Sequence, residues 1–431
     1  RFKTGTPSRV DRRSLHMDKM ELEEGDPENH AFSFMSERKD RNKRNCWLTY
    51  TNEKTHEIIR ENIMRAPKYA GKIHGIGARY CPSIEDKVVR FADKDRHQLF
   101  VEPEGLDTTE MYVQGMSTSM PIDVQYAFLR TIPGFEDVKM MRPAYAIEYD
   151  LLDPLQLYPT LEVIKLPGLY SAGQSNGTSG YEEAAAQGLV AGINAALKIQ
   201  GKDPFILARH EAYIGSLVDD LVTKGADEPY RMMTSRSEYR LILRQDNADL
   251  RLTEKGHSIG LVGEERYARF LERKKKYEEA MDYIRTQRFT PKEEINRALE
   301  SMGTAPLTTG TGADQILKRP EMTYRKMMEI LGCPSFDEEA VEEMEITVKY
   351  EGYIARQEAA VRKAARMENE KLPLDMDYLS LDGISTEARQ KMDKIRPLSL
   401  GQAARIPGVS PADISVLMVY VKQRKGKKGA E

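Results

Sequence analysis

Residues 168–198 read GLYSAGQSNGTSGYEEAAAQGLVAGINAALK. A short apolar run enters a turn that contains Gly173, Gly177 and Gly180, and the side chains that follow have the small, apolar character of a buried helix. Glu182 near its start and Gly201 just beyond its end are residues that favour helix termini. The pattern predicts a strand, a turn and a helix, with turn N–H groups able to bind a ligand. A tightly packed unit without a ligand fits the same pattern.

The predicted helix also has a face of small residues. Ala184, Gly188, Gly192 and Ala195 recur at helical spacing. Because such side chains let two backbones approach closely, we expect this face to lie against a sheet.

The composition describes a globular chain with little net charge. The 431 residues include 40% hydrophobic and 31% charged residues, and 65 Lys and Arg oppose 68 Asp and Glu, which gives a net charge of −3. No apolar run approaches the ~20 residues of a membrane span, so we expect no membrane association. The three cysteines are far apart and show no zinc-ligand spacing, which predicts a reducing cytoplasmic location and no metal. The first residue is Arg1, which suggests part of a longer protein.

The pattern of apolar residues changes along the chain from α/β to mostly α. Strands are predicted in the first part, at residues 98–102, 144–149 and 161–166. Helices are predicted in the second part, at residues 264–284, 324–331 and 343–367. We therefore predict three domains, an α/β domain at 1–204, a helical linker domain at 205–335 and a C-terminal helical domain at 336–431.

Several motifs resemble the MnmG (GidA) family of tRNA uridine 5-carboxymethylaminomethyl modification enzymes. The resemblance extends over essentially the whole chain. It rests on these strings: 172–188 (AGQSNGTSGYEEAAAQG), 3–7 (KTGTP), 51–56 (TNEKTH), 79–87 (RYCPSIEDK), 101–105 (VEPEG) and 234–240 (TSRSEYR). It implies part of a Rossmann-like FAD/NAD(P)-binding flavoprotein domain followed by helical domains.

The resemblance also implies two cofactor-binding segments. Residues of the turn and helix start would hold FAD: Gln174, Asn176, Gly177, Thr178, Gly180, Tyr181 and Glu182. A second segment overlaps the family's NAD-binding stretch: Gly77, Arg79, Tyr80, Pro82 and Ser83.

Cys81 lies within the second segment and matches a catalytic cysteine of the family. The sequence places it just before a predicted helix that Ser83 caps with Asp86 as the reciprocal acid, and a thiolate is favoured near a helix N-terminus and an arginine. Addition of a thiolate to position 6 of uracil would make position 5 nucleophilic. Cys81 could instead be a general acid or base, and a buried structural thiol is the ordinary alternative. Cys46 and Cys333 are predicted to be structural.

Basic residues form local clusters that could bind tRNA despite the net charge. One cluster includes Lys3 and Arg9 on turn-rich chain, and another lies at residues 38–44. A third combines tyrosines with these arginines: Arg231, Arg236, Arg240 and Arg244. Each cluster could equally be a solvated surface.

The resemblance implies a reaction and partners. The family uses FAD, NADH and methylenetetrahydrofolate, acts with the GTPase MnmE and is dimeric, and its C-terminal helices contact MnmE and tRNA. We find no complete Gly-x-Gly-x-x-Gly motif for the FAD pyrophosphate, because residues 75–80 and 310–315 lack the third glycine. The alternatives are a folate-dependent tRNA uracil methyltransferase, which lacks a long helical half, and a non-enzymatic RNA- or partner-binding fragment.

Overall fold

The computed structural model describes residues 1–26, 31–36, 42–80 and 82–428, with side chains to residue 423. Cys81 and residues 38–41 of the second basic cluster lie outside the described residues. The chain forms two compact units. The first contains residues 1–204 and 225–231, and the second contains residues 205–224 and 232–431.

The first unit contains two sheets. A three-stranded sheet has the order β5-β1-β9, and a six-stranded antiparallel sheet has the order β3-β4-β6-β7-β2-β8. The strands are β1 Phe2–Thr6, β2 Arg9–Asp11, β3 Glu21–Glu23, β4 Cys46–Tyr50, β5 Ile76–Gly77, β6 Gln98–Pro103, β7 Glu110–Gln114, β8 Met140–Arg142 and β9 Tyr145–Tyr149. Among the described strands, β1 and β5 form the parallel pair.

Helices cover one face of the six-stranded sheet. They are α1 Glu53–Glu61, α2 Ile84–Arg90 and α3 Ile122–Leu129. Residues alternate between buried and less buried along β6 and β7, so that Leu99, Val101, Met111 and Val113 point into one apolar core with Phe128 of α3. The period-2 pattern that predicted a strand at 98–102 therefore has the expected physical origin.

Two of the three predicted strands are confirmed. The third, at residues 161–166, is wrong. That segment forms turns and isolated bridges, including Leu157 with Val163 and Glu162 with Tyr170. Leu161 has φ of 66°, a left-handed conformation that interrupts a strand.

Helix α4, Tyr181–Ile199, is confirmed at both ends, and Gly201 has the positive φ of a helix terminator. Its predicted packing face is wrong. Gly188 and Gly192 are exposed, and a Cβ atom at either would have no neighbour within 4 Å. The buried face instead carries Gln187, Val190 and Asn194. Hydrogen bonding by polar side chains decides the orientation, which a pattern based on residue size does not detect.

The second unit is mostly helical, as predicted. Its helices are α5 Tyr213–Lys224, α6 Ala248–Ser258, α7 Glu264–Thr286, α8 Glu293–Ser301, α9 Ala313–Leu317, α10 Tyr324–Leu331, α11 Glu338–Lys349, α12 Glu351–Asn369, α13 Thr386–Ile395, α14 Leu400–Arg405 and α15 Pro411–Lys428. A two-stranded ribbon joins β10 Arg288–Phe289 to β11 Thr311–Gly312. The predicted helix at 343–367 is two helices, because α11 ends at Lys349 and α12 begins at Glu351.

Two apolar cores stabilise this unit. One continues across residue 335, since Met344 and Val348 pack in the same cluster as Met327. The other begins at Leu372 and includes the C-terminal helices. Ser410 and Asp413 cap the start of α15, because the Asp413 N–H donates to Ser410 Oγ at 3.2 Å and the Ser410 N–H donates to Asp413 Oδ2 at 2.8 Å. Among the described residues, no helix has both the length and the apolar character of a membrane span.

Candidate functional site

The glycine turn is held by a buried glutamine of α4. Gln187 is fully buried, and its Oε1 accepts hydrogen bonds from the Gly173 N–H at 3.1 Å and from Asn176 Nδ2 at 2.8 Å. Its Nε2 donates to Thr178 Oγ1 and to the Glu183 carbonyl. Gly177 has φ of 81°, so the turn requires a residue without a side chain there. Asn176 and Thr178 are therefore structural parts of the turn.

Other predicted FAD-binding residues face outward. Gln174 and Glu182 are exposed, and Tyr181 is 90% exposed. Gly180 is the N-cap of α4, and no side chain caps this terminus. Its first-turn N–H groups are the kind that α-helices leave without an intrahelical partner. An exposed amide side chain beside an uncapped helix start suits the polar edge of a flavin ring, so the residues present fit that part of FAD.

The structure brings the two predicted cofactor segments together within the first unit. Arg231 forms an ion pair with Glu183 of α4, with 2.9 Å between Nε and Oε1. The same guanidinium lies over the Tyr80 ring, 5.2 Å from its centroid. The residue bonded to Cys81 is thereby attached to the start of α4.

Residues 225–231, which come from later in the sequence, also contact the glycine turn and Arg79. The Tyr230 N–H donates to the Gly177 carbonyl at 2.9 Å. Glu228 accepts from Arg79 Nε at 3.1 Å. Arg79 and Tyr80 are therefore both held by the segment that also supports the turn.

The start of α2 differs from the prediction. Ser83 is the N-cap, but its side chain makes no capping hydrogen bond, and Asp86 is not its reciprocal partner. Asp86 Oδ1 instead accepts from Lys68 Nζ at 2.5 Å and from the Tyr69 hydroxyl at 3.0 Å. Burial alone would raise the pKa of Asp86, but these hydrogen bonds and the charge of Lys3 hold that pKa below its usual value. The predicted capping box is wrong because a tertiary ion pair takes the acid.

A small pocket lies beside this helix start. Its empty volume is about 250 Å³, part of it open to solvent. The residues that line it include Lys3, Gly77, Pro82, Ser83, Asp86 and Ser117. The volume of about 250 Å³ includes open solvent, and the enclosed space has room for about one water molecule. The pocket can therefore accept a water molecule or the tip of one functional group, and it does not enclose a dinucleotide.

The predicted tRNA contacts at Lys3 and Arg9 do not fit their surroundings. Both lie on strands, and Lys3 is only 4% exposed. Arg9 is paired with Glu104, with 2.8 Å between Nε and Oε1, and its guanidinium lies 4.7 Å from the centroid of Tyr112. The prediction of turn-rich chain there is wrong, because β1 and β2 pair with strands from later in the sequence.

The four arginines of the third cluster have different environments. Arg231 bridges Glu183 and Tyr80, as described above. Arg244 is largely buried and bonds Asp246 and Glu343. Arg236 is partly buried, whereas Arg240 is exposed. Exposure therefore favours Arg240 for a phosphate contact.

The two described thiols have raised pKa values. Burial, followed by the charges of Glu102 and Glu23, raises the pKa of Cys46. Burial also raises the pKa of Cys333. Neither environment favours a thiolate at neutral pH. Among the described residues, no group of three or more His, Cys, Asp and Glu side chains could hold a metal ion.

Sequence reasoning missed three residues that build the site. Glu183 and Gln187 lie inside the motif that predicted the turn. They follow Ser179 by four and eight residues, a spacing that puts both on the face of the helix next to the turn. Lys68 has no sequence signal, because its partner Asp86 belongs to another element.

Protein families match this chain in three consecutive parts. Residues 1–203 match the family described as glucose inhibited division protein A. Residues 264–358 match the C-terminal helical domain of the tRNA modifying enzyme MnmG/GidA, and residues 360–431 match its C-terminal helical bundle.

Individual proteins give the same result. The tRNA uridine 5-carboxymethylaminomethyl modification enzyme MnmG of Caldicellulosiruptor saccharolyticus is 56% identical over 430 residues, which are 99% of this chain and 69% of the relative. The enzyme of that name from Clostridium kluyveri is 56% identical over 429 residues, 99% of this chain and 68% of the relative. A solved structure of Aquifex aeolicus GidA in crystal form I is similar with a TM-score of 0.86 and 47% identity, covering 97% of this chain and 68% of that one.

Proposed function

The chain belongs to the MnmG/GidA family of tRNA-modifying enzymes, and from this premise we propose that it acts in the FAD-dependent modification of position 5 of the wobble uridine of tRNA. The modification is the carboxymethylaminomethyl group in the name of its relatives, or the aminomethyl form of it. The observation that carries the proposal is the position of the Arg231 guanidinium, which lies over the ring of Tyr80, the neighbour of Cys81, and pairs with Glu183 at the start of α4.

The turn and the start of α4 supply the flavin contacts in this proposal. Gln174 offers an exposed amide, and the N–H groups at Gly180 and Tyr181 can donate to an electron-rich edge of the ring. Asn176, Gly177 and Thr178 maintain the turn, and Glu182 adds an exposed carboxylate. FAD supplies redox chemistry for the one-carbon unit that is transferred.

Cys81 supplies the nucleophile or the acid–base group. As a nucleophile, its thiolate adds to C6 of uracil, the C5=C6 electron pair moves toward the C4 carbonyl, and C5 becomes nucleophilic. Loss of the C5 proton and release of the thiolate restore the ring once the new bond at C5 has formed. Residues Gly77, Arg79, Tyr80, Pro82 and Ser83 are proposed to contact NADH, whose nicotinamide supplies the hydride.

The remaining partners are proposals from family membership. Methylenetetrahydrofolate provides the one-carbon unit, and the GTPase MnmE acts with a homodimer of this protein in the cytoplasm. The C-terminal helices α12 to α15 would contact MnmE and tRNA, and Arg240 with Arg236 would contact phosphate. The match to the MnmG/GidA C-terminal families at residues 264–358 and 360–431 disfavours the shorter tRNA uracil methyltransferase.

Reconstitution of the full-length protein tests the proposal. We expect it to bind flavin and, with MnmE and the cosubstrates, to increase the mass of the wobble uridine in tRNA. Cys81→Ser should abolish that increase while flavin stays bound, whereas Cys46→Ser should retain it. Full activity of Cys81→Ser would remove the catalytic role, and a wild-type protein without flavin or tRNA modification would refute the function.

A further inference from the structure

One ion pair lies directly against the N-cap of α4. Glu183, in the first turn of this helix, is 4% exposed, and its Oε1 is 2.9 Å from Arg231 Nε. A Cβ atom added to Gly180 would lie 3.0 Å from Arg231 Nε and closer still to the Glu183 carboxylate. The glycine at this position therefore leaves room for the ion pair beside the helix start, where the flavin ring is proposed to bind.

The same guanidinium contacts the chain that precedes Cys81. Arg231 lies over the ring of Tyr80, 5.2 Å from the ring centroid, and Tyr80 is partly buried. A cation over an aromatic ring is attracted by the negative face of the ring, more strongly where water is excluded. Because a guanidinium is planar, it can pair with a carboxylate at its edge while its face covers a ring. One arginine therefore joins the first turn of α4 to Tyr80.

The segment that carries this arginine, residues 225–231, has two further contacts of the same kind. The Tyr230 N–H donates to the Gly177 carbonyl of the glycine turn at 2.9 Å. Glu228 pairs with Arg79, with 3.1 Å between Oε2 and Nε. The segment is therefore anchored to the glycine turn and to the predicted NAD-binding residues at the same time.

We propose that Arg231 is a positioning residue that couples the flavin site at the start of α4 to Tyr80, so that flavin binding and the ordering of residues 77–80 favour each other. This inference rests on the proposed function, which places the flavin at the glycine turn. A flavin that contacts the first N–H groups of α4 restricts their motion, and the buried Glu183 carboxylate belongs to that helix turn. The restriction reaches Tyr80 through Arg231. Because coupling between two sites is reciprocal, an ordered Tyr80 strengthens flavin binding by the same factor.

FAD titrations of the full-length protein measure the coupling. Tyr80→Leu removes the ring contact, and although Tyr80 is not among the proposed flavin contacts, we expect FAD to bind about fivefold more weakly. Arg231→Met retains the apolar stem but loses both the ion pair and the ring contact, so its loss should be at least as large. In the Arg231→Met background, Tyr80→Leu should have no further effect, because the connection is already broken.

Hydrogen exchange of backbone amides, followed by mass spectrometry, locates the effect in the chain. Saturating FAD should increase protection both in the glycine turn and at residues 77–80. In Arg231→Met the gain in the turn should remain while the gain at residues 77–80 is lost, and Arg231→Lys, which keeps a cation at this position, should restore part of it. A role of Arg231 in folding alone would instead lower protection with and without FAD alike.

Arg130→Met is a matched control within the first unit. Arg130 also lies 5.2 Å from the centroid of a tyrosine ring, that of Tyr126, but at the C-terminal end of α3. This variant loses a cation–π contact of the same geometry outside the site. FAD affinity and the gain in protection at residues 77–80 should both match those of the unaltered protein.

The results separate this inference from the proposed function. Additive effects of Arg231→Met and Tyr80→Leu on FAD affinity would overturn the coupling, even in a protein that modifies tRNA. An undiminished gain in protection at residues 77–80 in Arg231→Met would do the same. Intact coupling in a protein that binds FAD but modifies no tRNA would instead refute the proposed function and retain the coupling.

Discussion

Replacement of Gln187 by leucine tests whether the glycine turn is held by α4. Gln187 is fully buried and forms four hydrogen bonds, two through each end of its amide. Leucine has a similar size but can form none of them. The Gly173 N–H would lose its acceptor, whereas Asn176 Nδ2 would keep its hydrogen bond of 2.9 Å to the Ser171 carbonyl.

The expected loss of stability follows from these contacts. A buried donor left without an acceptor costs about 1–3 kcal/mol, and an ordinary hydrogen bond contributes about 1 kcal/mol. Partial compensation by apolar contacts of leucine limits the sum, so we expect Gln187→Leu to lower the free energy of unfolding by about 2–4 kcal/mol. Because the turn also presents Gln174, flavin affinity should fall by at least about tenfold.

Denaturant unfolding and flavin titration measure both effects. The matched control is Gln200→Leu, since Gln200 is exposed at the end of the same helix. We expect the control to change stability by less than about 0.5 kcal/mol. If Gln187→Leu matched the control in stability and in flavin affinity, the proposed support of the turn by α4 would be refuted.

Four further substitutions address separate parts of the molecule. Gln174→Ala should weaken flavin binding about tenfold without changing stability, since Gln174 is exposed; unchanged affinity would remove it from the site. Gly177→Ala should destabilise by about 1–2 kcal/mol, because φ is 81° and the new Cβ would lie 3.0 Å from Phe2 Cε2. Gly188→Ala should stabilise α4, because the added Cβ would have no neighbour within 4 Å. Equal effects of Gly177→Ala and Gly188→Ala on the free energy of unfolding would contradict this account. Burial raises the pKa of Glu343 to about 8, so the folded protein binds a proton that the unfolded chain releases above pH 4.5. Stability should therefore fall from pH 5 to pH 8, and Glu343→Gln should reduce that fall; parallel pH–stability curves would contradict the shift.

Local sequence signals were sufficient to predict the glycine turn, helix α4 and strand β6. The acidic first turn of α4 and the glycine beyond its end predict both termini, and the glycines before it predict the turn. The period-2 pattern at 98–102 similarly predicts β6, because one side of that strand faces the core. In each case the determining interactions lie within a few residues of one another.

The features that the sequence did not predict depend on contacts between residues far apart in the chain. Arg231 and Glu183 are 48 residues apart, and neither indicates its partner by spacing. The burial of Lys3 follows from the pairing of β1 with β5 and β9, which cannot be derived from residues 3–7 alone. The orientation of α4 depends on the hydrogen bonds of Gln187 to the turn. Residue types therefore predict candidate residues for the site, but which of them lie together follows only from the tertiary structure.

The distribution of ion pairs bears on how a neutral protein could recognise tRNA. Several cations near the predicted site are already paired, among them Arg231 with Glu183 and Arg79 with Glu228. These arginines position the site and are less available to phosphate groups than their number in the sequence suggests. Near the predicted site, phosphate contacts then fall to exposed cations such as Arg240.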